Sequence, residues 1–245
     1  MRLHQNKILI TGGTAGIGLA LTRKFLSLNN QVIVVGRNAT KLNELAQSSP
    51  QIIPFQCDVS LPHELDRLVL FVEQDHPDLN VLINNAGIQY NYRFTEEPQL
   101  PSKIQHEIDV NLLAPIKLLS MLLHVLQSNE NAAIVNVSSG LGLVPKQAAP
   151  VYCGTKAGLH IFTKALRNQL DGHGVKVFEI IPPLVDTAMT AGRGKGKISA
   201  DQLTEAFIRS FQKDRLEISI GKVKLLKTIN RLSPALAERI MRGNE

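Results

Sequence analysis

A short apolar run, KILIT at residues 7–11, breaks into the glycine-rich turn TGGTAGIG at 11–18 and continues as LALTRKFLSLN. In that continuation Leu19, Leu21, Phe25, Leu26 and Leu28 share one side of a helix. Strand, glycine turn and helix in direct succession leave few folds open. A helix that follows a strand at once returns the chain to the start of a parallel neighbour, so the stretch reads as the first unit of a parallel sheet. Gly12, Gly16 and Gly18 let the backbone turn sharply and approach a bound group, and the helix start offers unpaired N–H groups to an anion. The spacing is G-x-x-x-G-x-G rather than G-x-G-x-x-G. A purely structural glycine turn is the alternative, and the flanking strand and helix favour a dinucleotide pyrophosphate site.

The same alternation continues. QVIVVGRN (31–38), QIIPFQCDVS (51–60), NVLINNAG (80–87), NAAIVNVSS (131–139), VKVFEII (175–181) and EISIG (217–221) read as strands. Helical patterns separate them, including a long one over 104–127 and another around 199–213. KLLKTINRLSPALAERIMRGNE closes the chain as amphipathic helix. The pattern predicts the α/β class: a Rossmann-type doubly wound parallel sheet of about seven strands, helices on both faces, one domain over 1–245.

Composition narrows the function. Aromatics are 4% with no tryptophan, which argues against a nucleic-acid stacking platform. Cys57 and Cys153 give no metal spacing, the seven histidines are scattered singly, and no metal site is expected. MRLHQNK leads straight into ILIT, too short a run for a secretory signal, and no stretch approaches the length of a membrane span. A cytoplasmic setting is the expectation. The net charge of +6 sits entirely in residues 193–245, which carry 12 Lys/Arg against 6 Asp/Glu. This basic quarter is read as a solvated surface, with contact to an anionic membrane surface as the alternative.

Tyr152 and Lys156 stand four apart in YCGTK, on one helix face about 5–6 Å apart at Cβ. An ammonium there would favour the phenolate and make the phenol a usable acid and base. Ser139, thirteen residues before the tyrosine, can hold a carbonyl oxygen, with Ser138 as its rival. Gly36 and Arg37 end the second strand where NAD-binding folds often place an acid. Lacking that carboxylate and offering a guanidinium, the site favours NADP (NADPH) over NAD. Asp58 can accept from an adenine amino group or cap the next helix with Ser60. Asn84 and Asn85 can tie neighbouring backbones, and Gly87 admits a cofactor. Pro115 deprives the Asn111 carbonyl of its helical donor, which frees an acceptor for a water.

TGGTAGIG, CDV, NNAG, the Asn111 region, Ser139, YCGTK and IIPPLVDT, in this order and spacing, resemble the short-chain dehydrogenase/reductase family over nearly the full length. NKILITGGTAGIG, INNAGIQYNY and PVYCGTKAGLH are further similar to the branch associated with bacterial D-alanyl-teichoic-acid operons. The resemblance implies an alcohol–ketone or alcohol–aldehyde oxidoreductase acting on a small molecule. Its catalytic set would be Asn111, Ser139, Tyr152 and Lys156, with Asn111 in a proton relay. Cofactor contacts would fall on Gly12, Thr14, Gly16, Ile17, Gly18, Arg37, Asp58, Val59, Asn85, Ala86, Gly87, Tyr152, Lys156, Val185 and Thr187. Pro183 replaces the family's usual glycine. The resemblance also implies a substrate lid over 188–215, a pocket lined by Gln89, Tyr90 and Tyr92, and a homodimer or homotetramer paired through the 104–127 helix and the next. A non-catalytic NADP-sensing or scaffold protein of the same fold is the alternative, which the complete catalytic set disfavours.

Overall fold

A computed structural model, describing residues 1–242, gives strands β1 (Lys7–Thr11), β2 (Gln31–Gly36), β3 (Ile52–Gln56), β4 (Val81–Asn84), β5 (Ala132–Val137), β6 (Val175–Ile181), β7 (Val185–Asp186), β8 (Ile198–Ser199) and β9 (Glu217–Ser219). The helices are α1 (Gly16–Ser27), α2 (Ala39–Ser48), α3 (Pro62–Asp75), α4 (Leu100–Ile108), α5 (Ala114–Gln127), α6 (Pro150–Gln169), α7 (Ala200–Gln212), α8 (Lys222–Leu232) and α9 (Pro234–Arg242). Seven strands form one parallel sheet in the order β3-β2-β1-β4-β5-β6-β9. β7 and β8 make a separate two-stranded ribbon.

The sheet is covered on both faces, which is why its central strands read as largely continuous apolar runs rather than alternating ones. Leu9 of β1 packs with α3, α5 and α6, whereas its neighbours Ile8 and Ile10 pack with α1, α2 and α7. Phe25 of α1 meets Phe207 and Phe211 of α7 with ring centroids 6.3 and 6.1 Å apart, and Phe178 of β6 lies 4.8 Å from Phe211. All four rings are fully buried. Edge-on aromatic pairs of this kind contribute about 0.5–1.5 kcal/mol beyond their buried area.

Two expectations need correction. The long helix begins earlier, at Leu100, and is not continuous. A π-turn at Asp109–Leu113 separates α4 from α5, with the Ala114 N–H bonded to the Asp109 carbonyl five residues back. Pro115 has no N–H to give, and the widened turn accommodates that break while holding Asn111. Leu100–Gln127 as a whole is long and apolar enough to qualify as a membrane span by composition. Here its buried side packs on the sheet. The closing helix is also divided, into α8 and α9 at Ser233–Pro234, and its last three residues, 243–245, lie outside the described residues.

Candidate active site

The strand order reverses between β1 and β4, so their carboxyl ends diverge and open a crevice. The glycine turn fills one wall. Gly12 has φ +67°, open to glycine at little cost. A Cβ on Gly18 would sit 2.2 Å from the Gly12 carbonyl oxygen and 2.5 Å from Asn85 Nδ2, so no larger residue fits. Asn85 donates to the carbonyls of Thr11 (2.9 Å) and Gly12 (3.2 Å), which fixes the turn. The N-terminus of α1 carries no side-chain cap and no acidic residue in its first turn. Its N–H groups therefore face the crevice without a protein acceptor from a capping side chain, and the donor set fits a pyrophosphate. Thr187 closes over Gly16: a Cβ there would lie 3.1 Å from Thr187 Cγ2. The side chains of Val59 and Val185 are buried, leaving their backbone for any contact with a ligand, while Ile17 and Ala86 are half-buried beside them.

At the end of β2, Gly36 lets Thr14 approach: a Cβ on Gly36 would lie 3.0 Å from Thr14 Cγ2. Arg37 is 62% exposed and its Nη1 is 3.6 Å from Asp58 Oδ2. Burial alone would raise the Asp58 carboxyl, but bonds from the Ser60 hydroxyl (2.7 Å) and N–H (3.0 Å), with the Arg37 charge, hold it below the usual range. Asp58 thus braces the turn before α3 rather than capping that helix, whose N-cap position is Leu61.

Across the crevice β5 delivers two serines with opposite fates. Ser138 points inward and donates to Glu179 Oε1 (2.5 Å), while Ser139 faces the Tyr152 phenol and acts to lower it. Ser139 also accepts from Leu141 N–H at 3.1 Å, which fixes its rotamer. Lys156, 4% exposed, donates to the Val137 carbonyl at 2.8 Å, and its Nζ lies 5.9 Å from the Tyr152 ring centre. Gly87 completes the junction, since a Cβ on it would stand 3.3 Å from Asn111 Oδ1 and 3.5 Å from Lys156 Nζ. Asn111, fully buried, exchanges bonds with the backbone of Ile88 (2.9 Å each way) and donates to Thr155 Oγ1 (3.3 Å). Structure therefore gathers Asn111, Ser139, Tyr152 and Lys156 into one cluster.

The electrostatics differ from the sequence expectation. Burial pushes the Tyr152 phenol up to about 12, and the Ser139 bond is the first influence opposing it. The Lys156 ammonium is itself brought down to about 8 by burial, opposed by the Glu179 carboxylate. Lys156 thus stands as a weakened cation that leaves the phenol protonated in this arrangement, instead of lowering it.

Glu179 and His160 escaped the sequence reading. Glu179, fully buried on β6, lies 2.9 Å through both oxygens from His160 Nδ1 and takes the Ser138 hydroxyl. One signal was available: His160 follows Lys156 by four, so Tyr152, Lys156 and His160 form one stripe on α6. A glutamate inside the apolar run of β6, VFEII, was the other. In the chain after β4, buried Glu107 accepts from Tyr90 N–H (2.9 Å) and the Tyr92 hydroxyl (3.1 Å). The segment 188–215 divides. Residues 188–197 are exposed or half-buried, whereas α7 is anchored in the core through Leu203, Phe207 and Phe211.

A doubly wound sheet with this turn and this Ser/Tyr/Lys/Asn cluster defines a class, and the short chain dehydrogenase family model matches residues 6–197: the chain belongs to the short-chain dehydrogenase/reductase family of oxidoreductases. Among relatives, it is 38% identical over 237 residues to the uncharacterized oxidoreductase DltE of Bacillus subtilis (strain 168), covering 94% of each chain. That likeness bears out the resemblance to the teichoic-acid-associated branch. Among solved structures, a short chain dehydrogenase from Burkholderia cenocepacia in complex with NADP superposes with TM-score 0.88 at 22% identity, covering 98% of this chain and 99% of that one. A short chain dehydrogenase/reductase from Burkholderia phymatum in complex with NAD gives TM-score 0.85 at 17% identity, covering 100% and 98%.

Proposed function

We propose that the protein is an NADP(H)-dependent oxidoreductase interconverting an alcohol and a ketone or aldehyde. The observation that carries this reading is the meeting of Ser139, Tyr152, Lys156 and Asn111 beside a glycine turn and an uncapped helix start. When bound, the cofactor supplies the hydride. Ser139 and the Tyr152 hydroxyl hold the substrate oxygen, and Tyr152 gives that oxygen a proton in reduction and takes it in oxidation. A phenol raised to about 12 is a protonated donor throughout the neutral range. Lys156 holds ribose hydroxyls, and Asn111 anchors the relay that restores the proton. The turn residues Gly12 to Gly18 receive the pyrophosphate. Arg37, exposed and only loosely tied to Asp58, receives the 2′-phosphate, which favours NADP over NAD. The Burkholderia cenocepacia relative supports that preference, although the Burkholderia phymatum relative carries NAD.

The test is Tyr152→Phe, measured as NADPH oxidation across a panel of carbonyl compounds beside fluorescence titration of NADPH and NADH. Turnover falls by about 10²–10⁴-fold with NADPH affinity retained, and NADPH binds more tightly than NADH. Full turnover in the variant overturns the mechanism.

A homo-oligomer belongs to the same proposal. Leu112, Leu113 and Ile116 remain half-exposed at the start of the α5 region, and Ile161 on α6 is 62% exposed. Light scattering at micromolar concentration checks it, and a monomeric mass refutes it.

A further inference from the structure

The loop between β7 and β8 carries three basic residues whose situations differ. Lys197 is neutralised, its Nζ 3.3 Å from Asp186 Oδ1 and 2.7 Å from the Thr190 carbonyl. Lys195 is exposed to solvent. Arg193 is half-buried and makes no ion pair among the described residues, and its Nη1 is shut away from solvent without a hydrogen-bond partner. A guanidinium N–H in that condition costs about 1–3 kcal/mol or more and calls for a reason, one of which is a ligand that supplies the acceptor. The loop is built to hold the side chain there. Arg193 N–H bonds the Thr190 carbonyl at 3.0 Å, and Gly192 and Gly194 on either side have φ +72° and +56°. Parallel pairing of Val185 with Ile198 closes the excursion at its base.

The Arg193 charge reaches the proposed acid, acting to lower the Tyr152 phenol against its burial. Glu107, the carboxylate that also acts on Tyr152, is buried, accepts from Tyr90 N–H and the Tyr92 hydroxyl, and makes no ion pair with Arg193. Lys222, at the start of α8, lies against the loop, its Nζ 2.9 Å from where a Cβ on Gly196 would stand. The mouth of the crevice is therefore positive and holds one cation with an unused, desolvated donor.

Resting on the reading of Tyr152 above, we infer that Arg193 is the anion anchor for the substrate, which is a carbonyl or alcohol compound bearing a carboxylate or phosphate near its reacting carbon. Lys195 and Lys222 add a positive field that draws such a compound in.

The experiment uses matched keto acids and their methyl esters, aromatic (4-acetylbenzoate and its ester) and aliphatic. Binding to the enzyme–NADPH complex is read by nicotinamide fluorescence, and turnover by NADPH oxidation. Wild type prefers the acid in each pair, and Arg193→Gln collapses that preference by about tenfold to a hundredfold, the worth of a charge-assisted hydrogen bond. Arg193→Lys restores part of it. Thermal melting of Arg193→Gln stays level or rises, since the variant removes a buried donor that has no partner. Repeating the binding arm in Tyr152→Phe separates the two readings. Acid preference there without turnover supports the anchor whatever the chemistry, whereas turnover without acid preference overturns the anchor alone. Loss of NADPH affinity in Arg193→Gln, with no change in acid preference, assigns the guanidinium to the cofactor and overturns the proposal, as does indifference between acid and ester in wild type.

Discussion

At the amino ends of the strands, asparagine amides are matched group for group with the backbone they hold. Asn80 accepts from Lys7 N–H (3.0 Å) and donates to Asn6 Oδ1 (2.9 Å), and Asn30 accepts from Asn6 N–H (2.9 Å) while donating to the carbonyls of Leu3 and Phe25 (2.8 Å each). Asn129 donates to the carbonyls of Pro77 and Val125 at 2.8 and 2.9 Å. The carboxyl ends bury polar groups just as deeply but leave capacity over: an uncapped helix start, a lysine with one protein acceptor, a phenol forced protonated, and a guanidinium N–H with none. Burial of polar side chains thus does not by itself mark a functional site. What separates the ends is whether the hydrogen bonds close, because a closed network stabilises while an open one is held at a cost.

The largest test of that difference is Lys156→Met. If the lysine serves chemistry, NADPH-dependent reduction drops by about 10²–10⁴-fold. Its melting temperature, however, stays level or rises, because burial holds the ammonium at a pKa of about 8 and the fold gains from losing it. A large drop in melting temperature would place Lys156 with the amino-end asparagines instead. Asn80→Ala should behave oppositely. It strips partners from Lys7 N–H and Asn6 Oδ1 and costs about 1–3 kcal/mol. For a chain of this size that lowers the melting temperature by roughly 2–4 °C per kcal/mol. Its kcat/KM remains at the wild-type value, and a matching loss of activity would erase the contrast between the two ends.

The difference in legibility follows the same physics. The parallel strands, the glycine turn and the Tyr152/Lys156 pair could be read because each rests on spacing along one strand, turn or helix, and Ser139 was chosen over Ser138 by its spacing in the family it resembles. Gly18 has to be glycine for a contact with Gly12 within its own turn. The network under the site could not be read so directly, because Glu179, His160 and Ser138 come from three elements and meet only when β5, β6 and α6 pack. The π-turn was half legible: Pro115 announced a break, but not that the backbone would widen at Asp109 to absorb it. Arg193 was visible only as part of a basic loop, since what distinguishes it from Lys195 and Lys197 is an unmet hydrogen bond rather than a residue type. The electrostatic expectation for Tyr152 failed because proximity along a helix predicts attraction, while desolvation depends on the whole surrounding fold.

The smallest effect is the most diagnostic. A lysine whose pKa is lowered to about 8 is charged below that pH and neutral above it. If the ammonium is the working form, kcat/KM for reduction is level in mildly acid buffer and falls as pH rises through about 8; Tyr152, at about 12, contributes no limb in that range. The Glu179 carboxylate opposes the lowering, so Glu179→Gln removes a negative charge and moves this limb toward lower pH. Glutamine is nearly isosteric and can still accept from Ser138, which keeps the packing. At a pH near 8 the loss amounts to roughly tenfold at most, the worth of one pKa unit. The low-pH plateau is what separates the explanations. Were Glu179 only a member of a closed structural network, like Asn80, the variant would melt earlier with its pH profile in place. A limb that shifts while the plateau holds makes Glu179 a positioning charge for Lys156, and ties the buried network to the open end of the sheet.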